Sequence, residues 1–176
     1  MSQIFRKKNV IKLPLLHGQI KREEYGKALE GLWVCKRCRN VRFKKEWHHP
    51  GSKAVEELRI GERKGVKFGI CPACYMITHG LFEGEIILDD VPKEYHQEIV
   101  NLVRSFGREA ELRDPQDRII SLTRRKNRFR VATTENQLAV RLAKKIRETY
   151  KKAGISISHS REPYEVGRVR MSFPLR

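Results

Sequence analysis

Two Cys-x-x-Cys pairs constrain this sequence more than any other feature. Cys35 and Cys38 form the first pair, Cys71 and Cys74 form the second, and together they use all 4 cysteines of the chain. Each pair can form a tight turn that points two thiolates at one metal ion, and two such turns complete a tetrahedral site. The spacing therefore predicts one structural Zn²⁺ ion in a four-cysteine site, with no coordination position left for a substrate.

Two other arrangements of the cysteines are compatible with their number. They are four unrelated buried thiols, or two disulfides in a secreted domain. Neither predicts a doubled Cys-x-x-Cys pattern, and the first residues do not resemble a signal peptide. A thioredoxin-like redox motif needs only one pair, at the start of a helix. The metal site is the favoured interpretation, and its thiolates predict a reducing, cytoplasmic location.

The charge balance of the chain is strongly basic. Its 176 residues include 38 Lys and Arg against 21 Asp and Glu, which gives a formal net charge of +17. Such an excess favours a polyanion as the partner, nucleic acid foremost. A membrane surface is the competing polyanion, but the sequence has no apolar run of about 18 residues and no lipidation signal. We expect neither a membrane nor a small-molecule substrate as a partner.

Three segments of the chain differ in sequence character. Residues 1–30 lack a steady helical or strand period and form a basic arm. Residues 31–81 hold the cysteines, and a short strand leads into each Cys turn, as in a zinc ribbon. Residues 82–176 alternate strands and helices. We predict an α+β fold, in which a four-cysteine zinc ribbon is followed by a two-layer sandwich with two helices on one face of an antiparallel sheet.

The elements within residues 82–176 follow a split β-α-β order with one extra strand. Pro92 suits the first turn of the first helix, and Thr134 with Gln137 forms a capping box that starts the second. Apolar residues at spacings of three and four predict a buried stripe on each helix, formed by Tyr95, Ile99, Leu102, Val103 and Phe106 in the first and by Leu138, Leu142, Ala143, Ile146 and Tyr150 in the second.

Basic residues cluster in the arm, in the ribbon and at the tip of a predicted β-hairpin. In the ribbon they interleave with Trp33, Phe43 and Trp47, and this mixture can contact phosphate and stack on unpaired bases. The competing interpretation places the aromatic rings in the ribbon's own core, which we favour for Trp33. The predicted nucleic-acid contacts are Arg6, Lys7, Lys8 and Lys12 in the arm, Lys36, Arg37, Arg39, Arg42, Lys44 and Lys45 around the first Cys turn, and Arg124, Arg125, Lys126, Arg128 and Arg130 at the hairpin tip.

The acidic residues and histidines do not form a recognised catalytic motif. Asp114-Pro-Gln-Asp117-Arg118 is the most motif-like acidic cluster. Its simpler interpretation is a turn, in which an aspartate bonds backbone amides and Arg118 pairs nearby. No Gly-rich phosphate loop or nucleophile elbow is visible. We predict that the protein is not an enzyme.

Several motifs occur in a distinctive order between residues 34 and 173. After the two Cys-x-x-Cys pairs come a helix with Tyr95-His-Gln-Glu-Ile99, then Asp114-Pro-Gln-Asp-Arg-Ile119, then Val131-Ala-Thr-Thr-x-x-x-Leu-Ala139. This order resembles the large-ribosomal-subunit nuclear export adaptor family, also called nonsense-mediated-decay-three-like, and its short prokaryotic relatives. The resemblance implies a ribosome-associated factor that binds rRNA of the large subunit, in assembly, hibernation or quality control. Nuclear export is not implied, because this chain lacks the further cysteines, β-barrel domains and shuttling signals of the long relatives.

The sequence leaves two other classes of function open. One is a DNA-binding zinc-ribbon transcriptional regulator, which would ordinarily carry a helix-turn-helix or a dimerisation helix, and neither pattern is visible. The other is a protein adaptor whose basic surface meets an acidic partner.

Overall fold

The computed structural model describes residues 31–60, 65–160 and 166–174. The basic arm predicted for residues 1–30, with Arg6, Lys7, Lys8 and Lys12, lies outside the described residues. The division at residue 81 into a ribbon and a second domain stays a prediction, since both parts belong to one compact unit.

A small four-stranded sheet carries the cysteines. The strands lie in the order β3-β2-β1-β4, where β1 pairs antiparallel with β2 and parallel with β4. Strands β1 and β4 each lead into a cysteine turn, as the sequence predicts. The elements are β1 (Trp33–Cys35), β2 (Val41–Phe43), β3 (Glu46–His48), the short helix α1 (Lys53–Glu56), β4 (Lys67–Gly69) and helix α2 (Pro72–His79).

The second part of the chain forms a five-stranded sheet with two long helices packed against it. Its strands lie in the order β6-β7-β5-β9-β8. The α+β class and the two helices of the second part are confirmed. The elements are β5 (Gly84–Asp89), α3 (His96–Arg113), β6 (Ile119–Arg125), β7 (Arg128–Thr133), α4 (Asn136–Thr149), β8 (Gly154–Ser160) and β9 (Val166–Ser172).

The main core lies between the five-stranded sheet and the two long helices. On the sheet side, Ile86 and Leu88 of β5 and Phe129 of β7 are fully buried. On the helix side, residues at spacings of three and four meet them, because such residues share one face of a helix. The buried helix residues are Ile99, Val103, Gly107 and Ala110 in α3 and Leu138, Ala139, Leu142, Ala143 and Ile146 in α4.

The prediction of a purely antiparallel sheet is wrong at one pair of strands. β5 and β9 run parallel, with Ile86 opposite Val169, so the sheet is mixed. After α4 the chain enters the sheet as β8, which lies at the edge, and a hairpin then inserts β9 between β8 and β5. The return through this hairpin gives β9 the direction of β5. Local sequence patterns carry no information on which of two consecutive strands takes the inner position.

The predicted capping box at the second helix is also wrong. Helix α4 begins at Asn136, and its preceding residue Glu135 makes no side-chain capping bond. The hydroxyl of Thr134 instead donates to the carbonyl oxygen of Gln116 at 2.7 Å and accepts the N–H of Arg118 at 2.9 Å. Thr134 is therefore used by a loop that is distant in sequence, and this contact replaces the local cap.

Candidate metal centre and basic surfaces

The four cysteines converge from two separate segments of the ribbon. Cys35 ends β1 and Cys38 follows on the next turn, while Cys71 directly precedes α2 and Cys74 lies in its first turn. The four sulfur atoms lie within 4.8 Å of one another, and those of Cys38 and Cys71 are 3.6 Å apart. Tetrahedral thiolate coordination at about 2.3 Å gives sulfur–sulfur edges of about 3.8 Å. The cluster can therefore hold one metal ion.

Backbone hydrogen bonds and burial prepare this cluster for a cation. The N–H of Cys71 donates to Sγ of Cys35 at 3.3 Å, and the N–H of Cys74 donates to Sγ of Cys71 at 3.4 Å. Such donors favour the thiolate form of a ligand. Cys35, Cys71 and Cys74 are buried and Cys38 is half-buried, so the surroundings exclude most water. Pro72 at the start of α2 fixes the backbone that carries the second pair.

The thiols differ in their affinity for protons. A hydrogen bond from the Cys71 thiol lowers the pKa of Cys38 to about 5. The same contact, together with burial, raises the pKa of Cys71, and burial raises the pKa of Cys74 to about 12. The protein chain alone thus favours a thiolate at Cys38 and protons on Cys71 and Cys74. A divalent cation displaces those protons, because its charge compensates the buried thiolates.

The acidic motif between α3 and β6 forms a turn, as its simpler interpretation predicts. Oδ1 of Asp114 accepts the N–H of Gln116 at 2.8 Å, and Asp117 forms an ion pair with Arg141 of α4. Arg118 pairs with Glu111 of α3 at 2.5 Å. Burial raises the pKa of Asp117, and the charge of Arg141 opposes that rise. These contacts hold the loop against α3 and α4.

This turn also contacts the metal centre. Oε1 of Gln116 accepts the backbone N–H of Ala73, which lies between Cys71 and Cys74 in the sequence, at 3.2 Å.

A second contact joins the ribbon to the end of α3. Nε2 of His49, which follows β3, donates to the carbonyl oxygen of Glu111 at 2.6 Å. The sequence predicts His49 only as a loop residue or a nucleic-acid contact. The end of a helix offers free carbonyl oxygens, and this is the only sequence signal for such a contact.

The ribbon's predicted nucleic-acid residues divide between its two ends. Lys36, Arg37 and Arg39 lie on the first cysteine turn with exposed side chains, and Arg37 also bonds the hydroxyl of Thr78 on α2. Lys44 and Lys45 occupy the turn between β2 and β3, which lies at the opposite end of β2. The expectation that all six basic residues surround the first cysteine turn is therefore wrong for this pair. Arg42, between the two turns, is half-buried.

The ribbon's aromatic residues lie mostly within its own layers. Trp33, Phe43 and Trp47 are half-buried, and the ammonium of Lys67 lies 5.6 Å from the centre of the Trp33 ring. Among the aromatic residues that the structure describes, Phe68 alone is exposed, with 54% of its surface accessible. Phe68 is therefore the ribbon's best candidate for stacking on a base, and sequence reasoning had counted it only as part of a strand.

The hairpin tip between β6 and β7 presents its cations in two directions. Lys126 and Asn127 form the turn, with Lys126 at a φ of 53°. Nη1 of Arg124 lies 3.1 Å from Nδ1 of His96, at the start of α3. Arg125 and Arg128 pair across the strands and belong to the opposite face. The tip thus exposes all five predicted residues at least in part, but it divides them between two faces of the sheet.

Two further arginines join the hairpin-tip residues on the sheet. Arg168 and Arg170 of β9 are exposed and lie on the same face as Arg128 and Arg130 of β7. Sequence reasoning missed them as contacts. The sequence pattern that indicates these two arginines is the alternation of charged and apolar residues along β9. Such alternation places every second side chain on one face of a sheet.

No family model matches this chain, and neither a curated protein nor a solved structure matches it. The resemblance to the ribosomal export adaptor family thus stays a prediction. None of the helices in the described part of the chain is long and apolar enough to span a bilayer.

Proposed function

We propose that this protein is a zinc-ribbon protein that binds RNA, with rRNA of the large ribosomal subunit as its partner. One observation carries the proposal: Lys36, Arg37 and Arg39 stand exposed on a turn whose shape the cysteine cluster fixes. Cations held on a rigid turn lose little entropy when they bind phosphate. The net charge of +17 supplies the long-range attraction to a polyanion.

Zn²⁺ is the metal that this donor set favours. Four thiolates are soft ligands, and a closed tetrahedral sulfur site is typical of structural zinc. When bound, the ion would hold Cys35, Cys38, Cys71 and Cys74 together and would leave no position for a substrate. Thiolate ligands persist in a reducing compartment, so we infer a cytoplasmic location.

The choice of rRNA as the partner rests on the resemblance and on charge. The most specific part of the resemblance is the Asp114-Pro-x-Asp-Arg-Ile119 segment, with Thr133-Thr-x-x-x-Leu-Ala139 downstream. Gln116, at the variable position of the first segment, contacts the metal centre. A role in assembly, hibernation or quality control is compatible with such a factor.

A sucrose-gradient profile of the tagged protein at two salt concentrations tests the proposal. At low salt we expect migration with large subunits or monosomes. High salt should release the protein, because phosphate contacts dominate such affinities and weaken steeply with salt. Ribonuclease treatment before the gradient is the control for an RNA-dependent complex.

Two results would contradict this proposal. Migration at the top of the gradient at low salt would exclude a stable ribosomal complex. A preference for duplex DNA over rRNA in competition would favour a transcriptional regulator instead.

A further inference from the structure

Within the described residues, one face of the five-stranded sheet is not covered by helices, and we call it the open face. Helices α3 and α4 pack on the other side, against residues such as Ile86, Phe129 and Val131. Because side chains alternate along a strand, the residues between these point to the open face. Five arginines share that face, namely Arg125, Arg128, Arg130, Arg168 and Arg170.

Two carboxylates on the central strand β5 hold four of these arginines in pairs. Glu85 contacts Nε of Arg130 at 2.5 Å through one oxygen and Nε of Arg168 at 3.1 Å through the other. Asp89 contacts Nε of Arg128 at 2.6 Å and Nε of Arg170 at 3.4 Å in the same manner. Each carboxylate thus joins one arginine from β7 to one from β9.

These ion pairs orient the arginines and leave most of their donors available. All four contacts use Nε, whereas a guanidinium group carries further N–H donors on its two Nη atoms. Nη1 of Arg168 donates to the hydroxyl of Ser160 at 2.8 Å. Within the described part of the chain, Arg128, Arg130 and Arg170 show no hydrogen bond from an Nη atom. Their side chains remain 44%, 41% and 62% accessible.

The charge of the open face favours an anionic ligand. Its strand residues carry five arginines against Glu85 and Asp89, and both carboxylates are already shared between two guanidinium groups. Glu85 and Asp89 are four residues apart on one strand, a separation of about 13 Å. The face therefore presents two fixed cationic groups rather than one point of charge.

We propose that the open face is a second RNA-binding surface, which holds the sugar–phosphate backbone of helical RNA through the two arginine pairs. Bidentate guanidinium groups match phosphate oxygens in geometry. Double-stranded RNA is bound mainly through its phosphates and 2′-hydroxyls, because its bases are poorly accessible. The inference rests on the proposed function only in taking RNA as the polyanion.

The composition of the open face separates backbone binding from binding of unpaired bases. Sheets that bind single-stranded RNA present exposed aromatic rings on which bases stack. The aromatic ring in contact with this set, Phe82, lies 4.9 Å from the guanidinium carbon of Arg130 and is half-buried. Phe68, the exposed aromatic residue, belongs to the ribbon sheet. Binding by the open face should thus depend on helix geometry and little on sequence.

A pair of double variants of the full, metal-loaded chain tests this surface. R168Q/R170Q removes two cations from the open face, while Glu85 and Asp89 each keep an arginine of β7. R104Q/R108Q is the matched control, since it removes the same charge from exposed positions of α3, in the helix layer. The probes are two RNA duplexes of about 20 base pairs and unrelated sequence, a length that exceeds the site of typical duplex-binding modules. Affinity is measured from about 50 to 200 mM salt by fluorescence anisotropy.

We expect R168Q/R170Q to weaken binding to both duplexes about tenfold or more at the middle of this range. The slope of log affinity against log salt should fall by about 2, one unit for each lost phosphate contact. The control should retain most of the affinity. R168K/R170K conserves the charge but lacks the forked donors of a guanidinium group, so its affinity should lie between those of R168Q/R170Q and the control. Thermal unfolding of each variant verifies that the sheet has formed.

Four outcomes bear on the proposal in different ways. Equal losses in R168Q/R170Q and R104Q/R108Q would overturn it, since bulk charge would then explain binding. Binding of poly-glutamate as tight as that of the duplexes would overturn it as well, because the face would then suit an acidic protein. Retained rRNA binding with no affinity for the duplexes would overturn the open-face proposal alone. Failure of the unaltered chain to bind any rRNA would instead overturn the proposed function.

Discussion

Oε1 of Gln116 accepts a hydrogen bond from the backbone N–H of Ala73 at 3.2 Å, and this bond joins the α+β layer to the metal centre. The backbone of Gln116 is itself held through both of its polar groups. Asp114 bonds the N–H of Gln116, and the hydroxyl of Thr134 bonds its carbonyl oxygen. The loop thus connects α3, β6, α4 and the second cysteine pair through one short segment.

Replacement of Gln116 should weaken this connection. Gln116→Ala removes the acceptor of the Ala73 N–H, and a net loss of about 1 kcal/mol in the free energy of unfolding follows from one hydrogen bond. Denaturant unfolding of the metal-loaded protein measures the loss. Metal content should stay unchanged, because all four cysteines remain. Gln97→Ala is the control, since its amide bonds Asn101 on the exposed face of α3. Equal stabilities of the two variants would contradict a connecting role for Gln116.

The sequence predicts well those features that short spacings determine. The doubled Cys-x-x-Cys pattern predicts the cluster, because each pair needs only one local turn and each turn can pair only with the other. The stripes of α3 and α4 follow from the helical period. The predicted stripe of α4 is buried except for the half-buried Tyr150, whereas in the first stripe Ile99 and Val103 are buried and Tyr95, Leu102 and Phe106 are half-buried. The hairpin follows from two alternating runs joined by a short turn, which the sequence predicts at Arg124 to Asn127 and the structure narrows to Lys126 and Asn127.

Features that depend on long-range contacts were not predicted. The position of β9 beside β5 is decided by the packing of the whole sheet, and nothing in its residues distinguishes an inner strand from an edge strand beforehand. Thr134 has the local pattern of a helix cap, but its hydroxyl donates to the carbonyl oxygen of Gln116 instead. Arg168 and Arg170 gain meaning only beside Glu85 and Asp89, which lie far away in the chain.

Loss of one cysteine should abolish metal binding and leave the main core folded. A structural zinc ion contributes on the order of 10 kcal/mol to a small zinc domain, so Cys71→Ser should unfold the ribbon. The core around Ile86 and Phe129 shares no residue with the cysteine cluster and should keep its helical circular dichroism. Native mass spectrometry should report about one metal per chain before the change and none after it. Arg37→Gln, between two ligands, is the control that retains metal.

A different metal content would contradict this assignment. Freshly purified, unaltered protein without bound metal would exclude a resident ion at the cysteine cluster. Complete loss of helical signal in Cys71→Ser would instead show that the α+β layers depend on the ribbon for folding.

Metal affinity should rise steeply with pH. The pKa of Cys71 is raised and that of Cys74 is raised to about 12, so both thiols carry protons at neutral pH in the absence of a cation. Binding releases these protons, so log affinity should gain at least two units per pH unit near pH 7. As pH falls towards the pKa of Cys38, which is about 5, a further proton competes and the slope steepens. Chelator competition from about pH 5.5 to 8 measures the slope, and a value below about one would contradict the proton count.

The ion pair of Asp117 and Arg141 should respond asymmetrically to substitution. Arg141→Gln leaves a buried carboxylate without its partner, and we expect a loss of about 1 to 2 kcal/mol in the free energy of unfolding at about pH 7. Asp117→Asn leaves an exposed arginine and should cost less, since half of the Arg141 side chain is accessible, at 50%. Urea unfolding of both variants measures the difference. A larger loss in Asp117→Asn would contradict this reasoning.

The same pair should show a pH dependence of definite sign. Burial raises the pKa of Asp117 above its unfolded value, so the ionised group opposes folding at a pH above that value. Arg141 offsets this cost, and its removal raises the pKa further. The stability difference between Arg141→Gln and the unaltered protein should therefore shrink as pH falls towards the pKa of Asp117. A difference that grows with acidity would contradict the assigned cause.

The last prediction concerns the hairpin tip, whose cationic side chains lie on two different faces of the sheet. Arg124 lies 3.1 Å from His96 beside α3, whereas Arg125 belongs to the open face and Lys126 occupies the turn itself. R125Q/K126Q should therefore lower the salt slope of rRNA binding by about 2, one unit per phosphate contact. R124Q should change it by less than about one unit, since its guanidinium group lies beside His96 on the helix side of the sheet. Filter-binding titrations over a range of salt measure both slopes. An unchanged slope in R125Q/K126Q would assign the hairpin tip to ordinary solvation, whereas a larger effect of R124Q would place the RNA on the helix side of the sheet.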